Sequence, residues 1–394
     1  MKCNQCKQEV NVEEWKFCPN CGRSLGDEKL VNFIRKFLLS KRNIAVFVLV
    51  ILILLGTLAF FIIQSNRKID EKNQQISKML EQKSDVKVEA EIAEKVMPIT
   101  YAGENKKMVT LKVSSPGFGQ IKTEIRVDGI TNDETQIISL KPESKIYYLS
   151  PDITEEGYRN LIDSKKANLF LKVSLVNDDG KESVLLEENR EVFFYSRNDI
   201  IWAEENGVDN VNYAVRWINK DKEEIKGLVR KAADHIREVG GKSDAMVGMQ
   251  GDREEMKRQM EAIFLAMAKD YQIRYIMAPF SYDNNTAQKV KPPEEVIRTK
   301  SGLCIELSLL MAAALENIGL NPVVVITEDH AWTGIETSPR SDDFIFIETT
   351  ALEKKPEEAV LIAQQNWKAI KNKGFYKILK INELRAEGYL PIKY

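Results

Sequence analysis

The sequence predicts an α+β protein, and two patterns in different parts of the chain support this fold class. Between residues 107 and 195, short runs alternate apolar and polar side chains between turn residues, which is typical of antiparallel strands. Beyond residue 199, apolar residues recur at helical spacing, and two β-branched runs follow them. The chain of 394 residues is long enough for two or more domains, and its formal charge of −2 predicts no nucleic-acid partner.

Four of the five cysteines cluster at the amino terminus, at Cys3, Cys6, Cys18 and Cys21. Two Cys-x-x-Cys turns with four thiolates suit a tetrahedral structural zinc site, and such a short segment needs a metal to fold. Redox pairs and disulfides are the alternatives. The paired turns resemble the zinc-ribbon family that begins many bacterial membrane proteins. We therefore predict a zinc ribbon over residues 1–25, with Zn²⁺ as a structural cofactor and a cytoplasmic partner for this module.

An uncharged run covers residues 44–63 and is long enough to cross the hydrocarbon core of a membrane once. The linker before it, residues 26–43, is rich in basic side chains close to the run. The positive-inside rule then places the amino terminus in the cytoplasm. We predict a single-pass protein of the bacterial plasma membrane with extracytoplasmic carboxyl-terminal domains, and the inverted orientation is the alternative.

Two segments follow the apolar run. Residues 64–106 are charged and favour helix, which predicts a helical or flexible stalk. Residues 107–198 hold seven short alternating runs between turns, which predicts a β-sandwich-like domain. This segment has no cluster of ligand-binding residues, so we interpret it as a spacer or a partner-binding module.

The last segment, residues 199–394, contains amphipathic helices predicted at 215–239, 253–271 and 356–371, and a closing strand at 376–381. Its two histidines differ in their surroundings. His235 lies among charged residues, as on a solvated helix face, which leaves His330 as the imidazole available to a thiol.

Residues 304–318 carry apolar side chains around nearly the whole helical circumference, which predicts a buried helix ending at Gly319. Cys304 then lies in the first turn, where free N–H groups and the helix dipole favour a thiolate. Two β-branched runs, 323–326 and 344–347, predict strands joined by a hairpin connection at 337–343. Pairing of these two strands would bring His330 and Glu348 together beside Cys304.

Three short blocks in this segment resemble the signature blocks of the transglutaminase-like superfamily, whose core is papain-like. The blocks are Gly302-Leu303-Cys304-Ile305-Glu306, His330-Ala331-Trp332 and Glu348-Thr349-Thr350. The resemblance covers about a third of the chain. It implies a helix carrying the cysteine, packed against an antiparallel sheet that carries the other two residues.

The same resemblance implies roles for three residues. Cys304 would be the nucleophile, His330 the general base and acid, and Glu348 the group that orients the imidazole. Most members of the superfamily have Asp at the last position, so Glu348 is a departure from the pattern. The alternative is a buried structural cysteine beside a structural histidine.

These residues predict acyl transfer, in which Cys304 attacks an amide carbonyl and the resulting thioester is resolved by water or an amine. The N–H of Cys304 is a candidate oxyanion donor, with Gln288 or Tyr282 as a second. Trp332 either walls the thiol or packs in the core. No metal is expected in this core.

We therefore predict a membrane-anchored cysteine peptidase, amidase or transglutaminase-type acyltransferase that acts on a protein or peptide substrate. The alternative is a catalytically silent envelope scaffold that binds a partner, with the zinc ribbon as a regulatory module. Fold does not imply function, so the same three-residue core is compatible with either.

Overall fold

The structure is a computed structural model with an α+β fold, and the chain forms two compact units, Met1–Gln82 and Lys83–Tyr394. The residues it describes are 2–3, 5–7, 9, 17–22, 52–53, 56–57, 59–73 and 86–394, the last range without 104–105, 178, 204–206, 242–244, 278–285, 373 and 375.

The first unit contains two matching turns. The N–H of Lys7 donates to the carbonyl of Cys3 at 2.9 Å, and the N–H of Gly22 donates to that of Cys18 at 2.8 Å. Both donors have left-handed backbone, with φ of 63° and 70°. Each Cys-x-x-Cys pair thus closes a tight turn of the same kind.

The predicted membrane span at residues 44–63 is corrected by the structure. Residues 44–50 and several others of this run lie outside the described residues. Within the described part of the chain, no helix combines the length and the apolarity that a membrane crossing requires. The longest described helical stretch there, residues 59–73, carries five charged side chains at its end: Arg67, Lys68, Asp70, Glu71 and Lys72. The single-pass topology and the envelope location predicted from that run are withdrawn with it.

The amino-terminal half of the second unit consists of two sheets around one apolar core. Its strands are β1 (Lys87–Ile92), β2 (Lys95–Val96), β3 (Val109–Ser114), β4 (Gly119–Val127), β5 (Glu134–Leu140), β6 (Ser144–Leu149), β7 (Lys165–Val176) and β8 (Glu182–Phe194). One sheet has the order β1-β3-β6 and the other β2-β8-β7-β4-β5. A short helix, α1 (Glu155–Asn160), lies between β6 and β7.

Alternation along the strands explains this core. In β3, Val109, Leu111 and Val113 are buried, whereas the residues between them are partly or fully exposed. Since successive side chains of a strand point to opposite faces, each sheet buries one face against the other. The structure differs from the predicted stalk, because β1 and β2 lie in residues 64–106 and pair with β3 and β8.

The carboxyl-terminal half of this unit is mixed. Its α-helices are α2 (Glu223–His235), α3 (Arg253–Leu265), α4 (Pro293–Thr299), α5 (Cys304–Asn317), α6 (Pro356–Ile370) and α7 (Ile381–Ala386). A 3₁₀ helix at Val211–Trp217, another at Gly248–Gln250 and a π-helix at Ala266–Asp270 complete the helical segments. Two short pairs join β9 (Asp199–Ile200) to β11 (Gln288–Lys289) and β10 (Arg274–Tyr275) to β12 (Ser301–Gly302).

A four-stranded antiparallel sheet lies between α5 and α6. Its order is β15-β14-β13-β16, with β13 (Pro322–Ile326), β14 (Ala331–Glu336), β15 (Phe344–Ile347) and β16 (Lys377–Lys380). Val324 and Ile326 pack in the core that contains α5, whereas Val323 and Val325 pack with Trp367 of α6. Because both faces are covered, β13 and β15 are apolar throughout rather than alternating.

The predicted pairing of residues 323–326 with 344–347 is wrong. The structure inserts β14 between them, so that β13 pairs with β14 and β14 pairs with β15. The hairpin connection at 337–343 therefore joins β14 to β15. Strand β14 escaped the sequence analysis because Gly334 and Thr333 interrupt its apolar pattern, although all six of its residues are buried.

Candidate functional site

Helix α5 positions the candidate nucleophile. Cys304 is its first residue and is 3% exposed. The first N–H groups of a helix have no intrahelical partner and carry a partial positive charge. The apolar circumference of α5 buries the helix, so this positive end faces the interior of the fold rather than bulk water.

A tight turn between β13 and β14 positions His330. The N–H of Thr327 donates to the carbonyl of His330 at 2.8 Å, and the N–H of His330 donates to Oγ1 of Thr327 at 3.0 Å. The imidazole then lies against the indole of Trp332, with ring centroids 5.7 Å apart. The hydrogen bonds between Thr327 and His330 and the contact with Trp332 together restrict the position of the imidazole.

Glu348 follows directly after β15, at the edge of the sheet where β14 begins. Its Oε2 lies 2.9 Å from Nε2 of His330, as the register Thr333 to Ile347 of β14 and β15 leads one to expect. The other carboxylate oxygen, Oε1, accepts from the N–H of Thr350 at 3.1 Å and from its hydroxyl at 2.7 Å. Asn366 of α6 donates to Oε2 at 3.1 Å. The buried carboxylate is thereby fully hydrogen-bonded.

His330 links the carboxylate to the thiol. Burial by itself lowers the pKa of His330, but hydrogen bonds with Cys304 and Glu348, together with their negative charges, outweigh burial and raise the pKa to about 10. Burial likewise raises the pKa of Glu348, whereas His330 and Thr350 bring it below its ordinary value. The raised pKa favours the cationic form of His330, and a cation stabilises negative charge on a sulfur beside it.

Hydroxyl groups connect α5 to the strands behind the thiol. The hydroxyl of Ser308 donates to the carbonyl of Cys304 at 2.8 Å and lies 3.0 Å from the hydroxyl of Thr349. The hydroxyl of Thr333 donates to the carbonyl of Ser308 at 2.9 Å. These bonds hold the first turn of α5 in register with β14 and with the residue after Glu348.

Glu306 anchors the entry to α5. It is 2% exposed, and its carboxylate accepts from the N–H of Leu303 at 2.9 Å and from the N–H of Lys291 at 2.8 Å. The ammonium of Lys291 lies 3.5 Å from the same carboxylate and donates to the carbonyl of Ser301 at 2.6 Å. A glutamate three residues after the residue preceding a helix is a signal for this arrangement.

Tyr275 is a neighbour that the sequence analysis did not single out. It lies on β10, which pairs with β12 just before α5. Burial raises the pKa of Tyr275, and the negative charges of Cys304 and Glu348 raise it further. Like Asn366, it is distant from the motif in the sequence, and no pattern in the sequence indicates its position.

Three further residues were predicted to line the site or to bind the oxyanion: Tyr282, Gln288 and Trp332. Tyr282 lies outside the described residues. Oε1 of Gln288 accepts from the indole N–H of Trp202 at 2.6 Å, while its Nε2 is buried and has no hydrogen-bond partner among the described residues. Trp332 packs in the core between the sheet and α6, and it also contacts the ring of His330.

The four amino-terminal cysteines form a candidate metal centre. Their sulfur atoms all lie within 4.8 Å of one another, and none of the four is part of a disulfide. The pairs Cys3 with Cys21 and Cys6 with Cys18 are each 3.6 Å apart. That separation excludes a disulfide and is close to the ~3.8 Å expected between sulfurs on a tetrahedral zinc ion. The cluster can hold a metal ion, as the sequence predicted.

Backbone geometry also favours anionic sulfur in this cluster. Hydrogen bonds from the backbone of Cys6 and Gln5 lower the pKa of Cys3 to about 6. Thiolates are the form that binds a metal. The donor set therefore fits a soft divalent cation better than magnesium or calcium, which prefer oxygen ligands.

Comparison with known proteins assigns no family to this chain. No family model matches it, and no curated protein matches it. One solved structure that is similar is a protein from Archaeoglobus fulgidus, 11% identical, with a TM-score of 0.18. The match covers 28% of this chain and 94% of that chain. A likeness at this level carries no argument about fold or function.

These findings correct the predicted membership of the transglutaminase-like superfamily. The family blocks around Cys304, His330 and Glu348 are short, and the comparisons detect no relationship to that superfamily in the chain as a whole. The transmembrane helix that accompanied the prediction is also contradicted. The interpretation of the site therefore depends on its own geometry and chemistry.

Proposed function

We propose that the chain is a cysteine-dependent enzyme that transfers acyl groups from amide bonds through a thioester on Cys304. The observation that supports this proposal is the 2.9 Å contact between Nε2 of His330 and the buried carboxylate of Glu348. The negative charge of the buried Cys304 thiol acts on the same imidazole. A cationic imidazole and a helix amino terminus both stabilise a thiolate, which is the reactive form of cysteine.

In the proposed reaction, the thiolate of Cys304 attacks the carbonyl carbon of the amide, and the carbonyl oxygen becomes an oxyanion. His330 gives its proton to the leaving nitrogen, and the C–N bond breaks to leave a thioester. His330 then accepts a proton from water or from an amine, which attacks the thioester and releases the product. Glu348 keeps the imidazole oriented and compensates its charge throughout.

Two groups support an oxyanion site in this proposal. The N–H of Cys304 is in the first turn of α5 and has no intrahelical partner. The side-chain N–H₂ of Gln288 is buried without a partner among the described residues, because the indole of Trp202 binds its carbonyl oxygen. An indole nitrogen can only donate a hydrogen bond, so the side-chain oxygen of Gln288 faces Trp202 and its N–H₂ group points away. Gln288 is thus the second oxyanion donor in our proposal.

Peptide hydrolysis and transamidation share these steps, so the substrate class we propose is a peptide or protein amide. For the amino-terminal cluster we propose zinc as the metal, in a structural role, since four thiolates leave no open coordination position. We also propose that this cluster binds a protein partner.

A catalytically silent scaffold is the second candidate, and the burial of the thiol favours it. Cys304 is only 3% exposed, so a macromolecular substrate would reach it only after a rearrangement. In this case Cys304, His330 and Glu348 would stabilise the fold and the chain would bind a partner.

Alkylation of Cys304 tests the proposal. The full chain is treated with iodoacetamide from pH 5 to 10, and modification of the peptide containing Cys304 is followed by mass spectrometry. At neutral pH we expect alkylation of Cys304 to be faster in the wild-type chain than in the His330→Ala variant, because a cationic imidazole stabilises the reactive thiolate. Glu348→Gln should slow the alkylation by a smaller factor.

Formation of a thioester is the second readout. An activated ester such as p-nitrophenyl acetate should give a burst of one acyl group per Cys304, absent in the Cys304→Ala variant. If Cys304 is alkylated slowly, at the same rate in the wild-type chain and in the His330→Ala variant, and no acyl-enzyme forms, the scaffold is the better explanation.

A further inference from the structure

The unit Lys83–Tyr394 contains a cavity lined by charged and aromatic side chains. It measures about 430 Å³ and lies where α1, the 3₁₀ helix Val211–Trp217 and α4 come together. None of Cys304, His330 and Glu348 lines it. Its volume falls within the ~300–1,000 Å³ typical of small-molecule sites.

Two arginines in the wall of this cavity have no carboxylate partner among the described residues. Nη1 of Arg216 donates to the carbonyl oxygens of Ile99 and Pro98, and its Nε donates to that of Leu390 at 3.3 Å. Arg197 donates to the carbonyl of Arg159 at 3.3 Å. Burial lowers the pKa of Arg216, which shows that its charge is costly where it stands. Removing a cation from water without a counter-ion is unfavourable, so these positions suit an anion from outside the chain.

Tyr158 adds a hydroxyl that can donate a hydrogen bond to an anion. It is 9% exposed, lines the cavity, and its ring packs 5.9 Å from that of Tyr394. Among the described residues, its hydroxyl has no hydrogen-bond partner. The guanidinium of Arg197 lies 5.9 Å above the ring. Burial raises the pKa of Tyr158, while the positive charges of Arg197 and Arg216 oppose the rise. A nearly buried O–H donor beside two cations is an arrangement that binds an oxyanion.

The same cavity also contains negative charge. Glu294 of α4 lines it, and its closest cation is Lys222 at 3.9 Å, which is a loose pair. Burial raises the pKa of Glu294, and its charge acts on the hydroxyl of Tyr158. A wall that carries both signs disfavours a polyanion, because the carboxylate would repel it. It suits a small molecule that carries one charge of each sign.

We propose that this cavity binds a small zwitterion of the amino-acid or short-peptide class. The carboxylate of the ligand lies between Arg197, Arg216 and the hydroxyl of Tyr158, and its ammonium lies at Glu294. The apolar part of the ligand packs on Trp217 and Ile392, which line the same cavity. The site is separate from Cys304, so it is independent of the function proposed above.

Calorimetric titration of the full chain with alanyl-alanine tests the proposal. Alanyl-alanine amide lacks the carboxylate, N-acetyl-alanyl-alanine lacks the ammonium, and inorganic phosphate is an anion only. We expect saturable binding of the dipeptide and affinities at least about 10-fold lower for the two derivatives, since each loses a charge-assisted contact.

Variants locate the binding in the cavity. Tyr158→Phe removes only the unpartnered hydroxyl and should weaken the dipeptide about 5- to 10-fold with an unchanged melting temperature, and Arg197→Gln should weaken it about 10-fold or more. Glu294→Gln should weaken the dipeptide but not its N-acetyl derivative. Arg190→Gln is the matched control, because Arg190 is exposed and pairs with Glu188 outside the cavity.

Three results would overturn the proposal. One is the lack of saturable dipeptide binding up to about 10 mM, the range of weak small-molecule affinities. Another is an affinity that stays the same in Tyr158→Phe and Arg197→Gln. The third is inorganic phosphate binding as tightly as the dipeptide, which would indicate an anion site without selectivity for a zwitterion.

Discussion

At the scale of single residues, the two histidines of this chain differ in what surrounds them and resemble each other in charge. His235 lies between Glu238, at 2.9 Å, and Asp270, at 2.6 Å, and its hydrogen bonds to them raise its pKa against the effect of burial. His330 has one carboxylate, that of Glu348, at 2.9 Å, and the negative charge of the Cys304 thiol also raises its pKa. A raised pKa is therefore not a property of the candidate site alone, and the thiol is what distinguishes His330.

This comparison gives a direct test by NMR, because the chain contains only two histidines. Both imidazole Cε1–H signals should titrate above the ordinary histidine pKa, with His330 near 10. Glu348→Gln removes the negative charge that lies beside His330, so the pKa of His330 should fall by about one unit or more.

Asp270→Asn is the matched control for that titration. It should lower the pKa of His235 and leave His330 unchanged, because Asp270 does not contact His330. A Glu348→Gln variant in which His330 keeps its wild-type titration would show that the carboxylate does not stabilise the imidazolium.

Residue type and position in the chain were enough to select Cys304, His330 and Glu348 as candidates. Their roles stay a prediction. The residues that surround Glu348 were harder to foresee. Asn366 lies on another helix and Thr350 lies beyond the end of β15, yet both donate to the carboxylate. Hydrogen bonds between distant segments leave no pattern in a sequence, because any polar residue can supply them.

At the scale of elements, β14 shows why a buried strand can escape detection. The space at Gly334 admits only glycine, because an added Cβ would lie 2.5 Å from the ring of Phe346 and 2.7 Å from the carbonyl oxygen of Ile345. The strand that directly follows His330 therefore packs very closely on β15. In the sequence, the same glycine reads as an interruption of the strand.

We predict that Gly334→Ala lowers the free energy of unfolding by about 2–3 kcal/mol, because overpacking forces the backbone or Phe346 to move. Denaturant titration measures the change. The variant should also alter the chemical shift of His330, since β14 would shift relative to β15.

The double variant with Phe346→Leu is the control for this interpretation. Leucine is smaller than the ring, so the two changes together should cost less than the sum of the single changes. Strict additivity of the two free-energy losses would show that the added methyl group does not meet Phe346.

At the scale of the whole molecule, the two compact units depend on different forces. The unit Lys83–Tyr394 has large apolar cores between its sheets and helices. In the unit Met1–Gln82, the apolar cluster among the described residues consists of cysteines. We therefore predict that a metal ion on the four cysteines stabilises the two turns.

We predict that a strong chelator such as TPEN removes one zinc ion per chain and unfolds the cysteine turns. The amides of Lys7 and Gly22, which bond to the carbonyls of Cys3 and Cys18, should lose protection from hydrogen exchange. The melting temperature of the unit Lys83–Tyr394 should stay within about 2 °C, because the four candidate ligands, Cys3, Cys6, Cys18 and Cys21, all lie in the other unit.

Cys21→Ser is the matched variant, since it removes one of the four sulfur ligands. It should show the same loss of protection without a chelator and a lower zinc content by a colorimetric assay. A chain that contains no zinc, or that keeps both amides protected after chelation, would contradict the assignment of a structural metal site.

The sequence by itself determined the α+β class, the four-cysteine cluster and the buried helix that begins at Cys304. Each of these follows from local chemistry, because ligand spacing and apolar periodicity are properties of short segments. The tertiary structure decided the insertion of β14 between the two predicted strands, the bonds of Asn366 and Thr350 to Glu348, and the cavity around Tyr158 and Arg216. These features join segments far apart in the chain, and side-chain packing and hydrogen bonding between such segments are settled only when the chain folds.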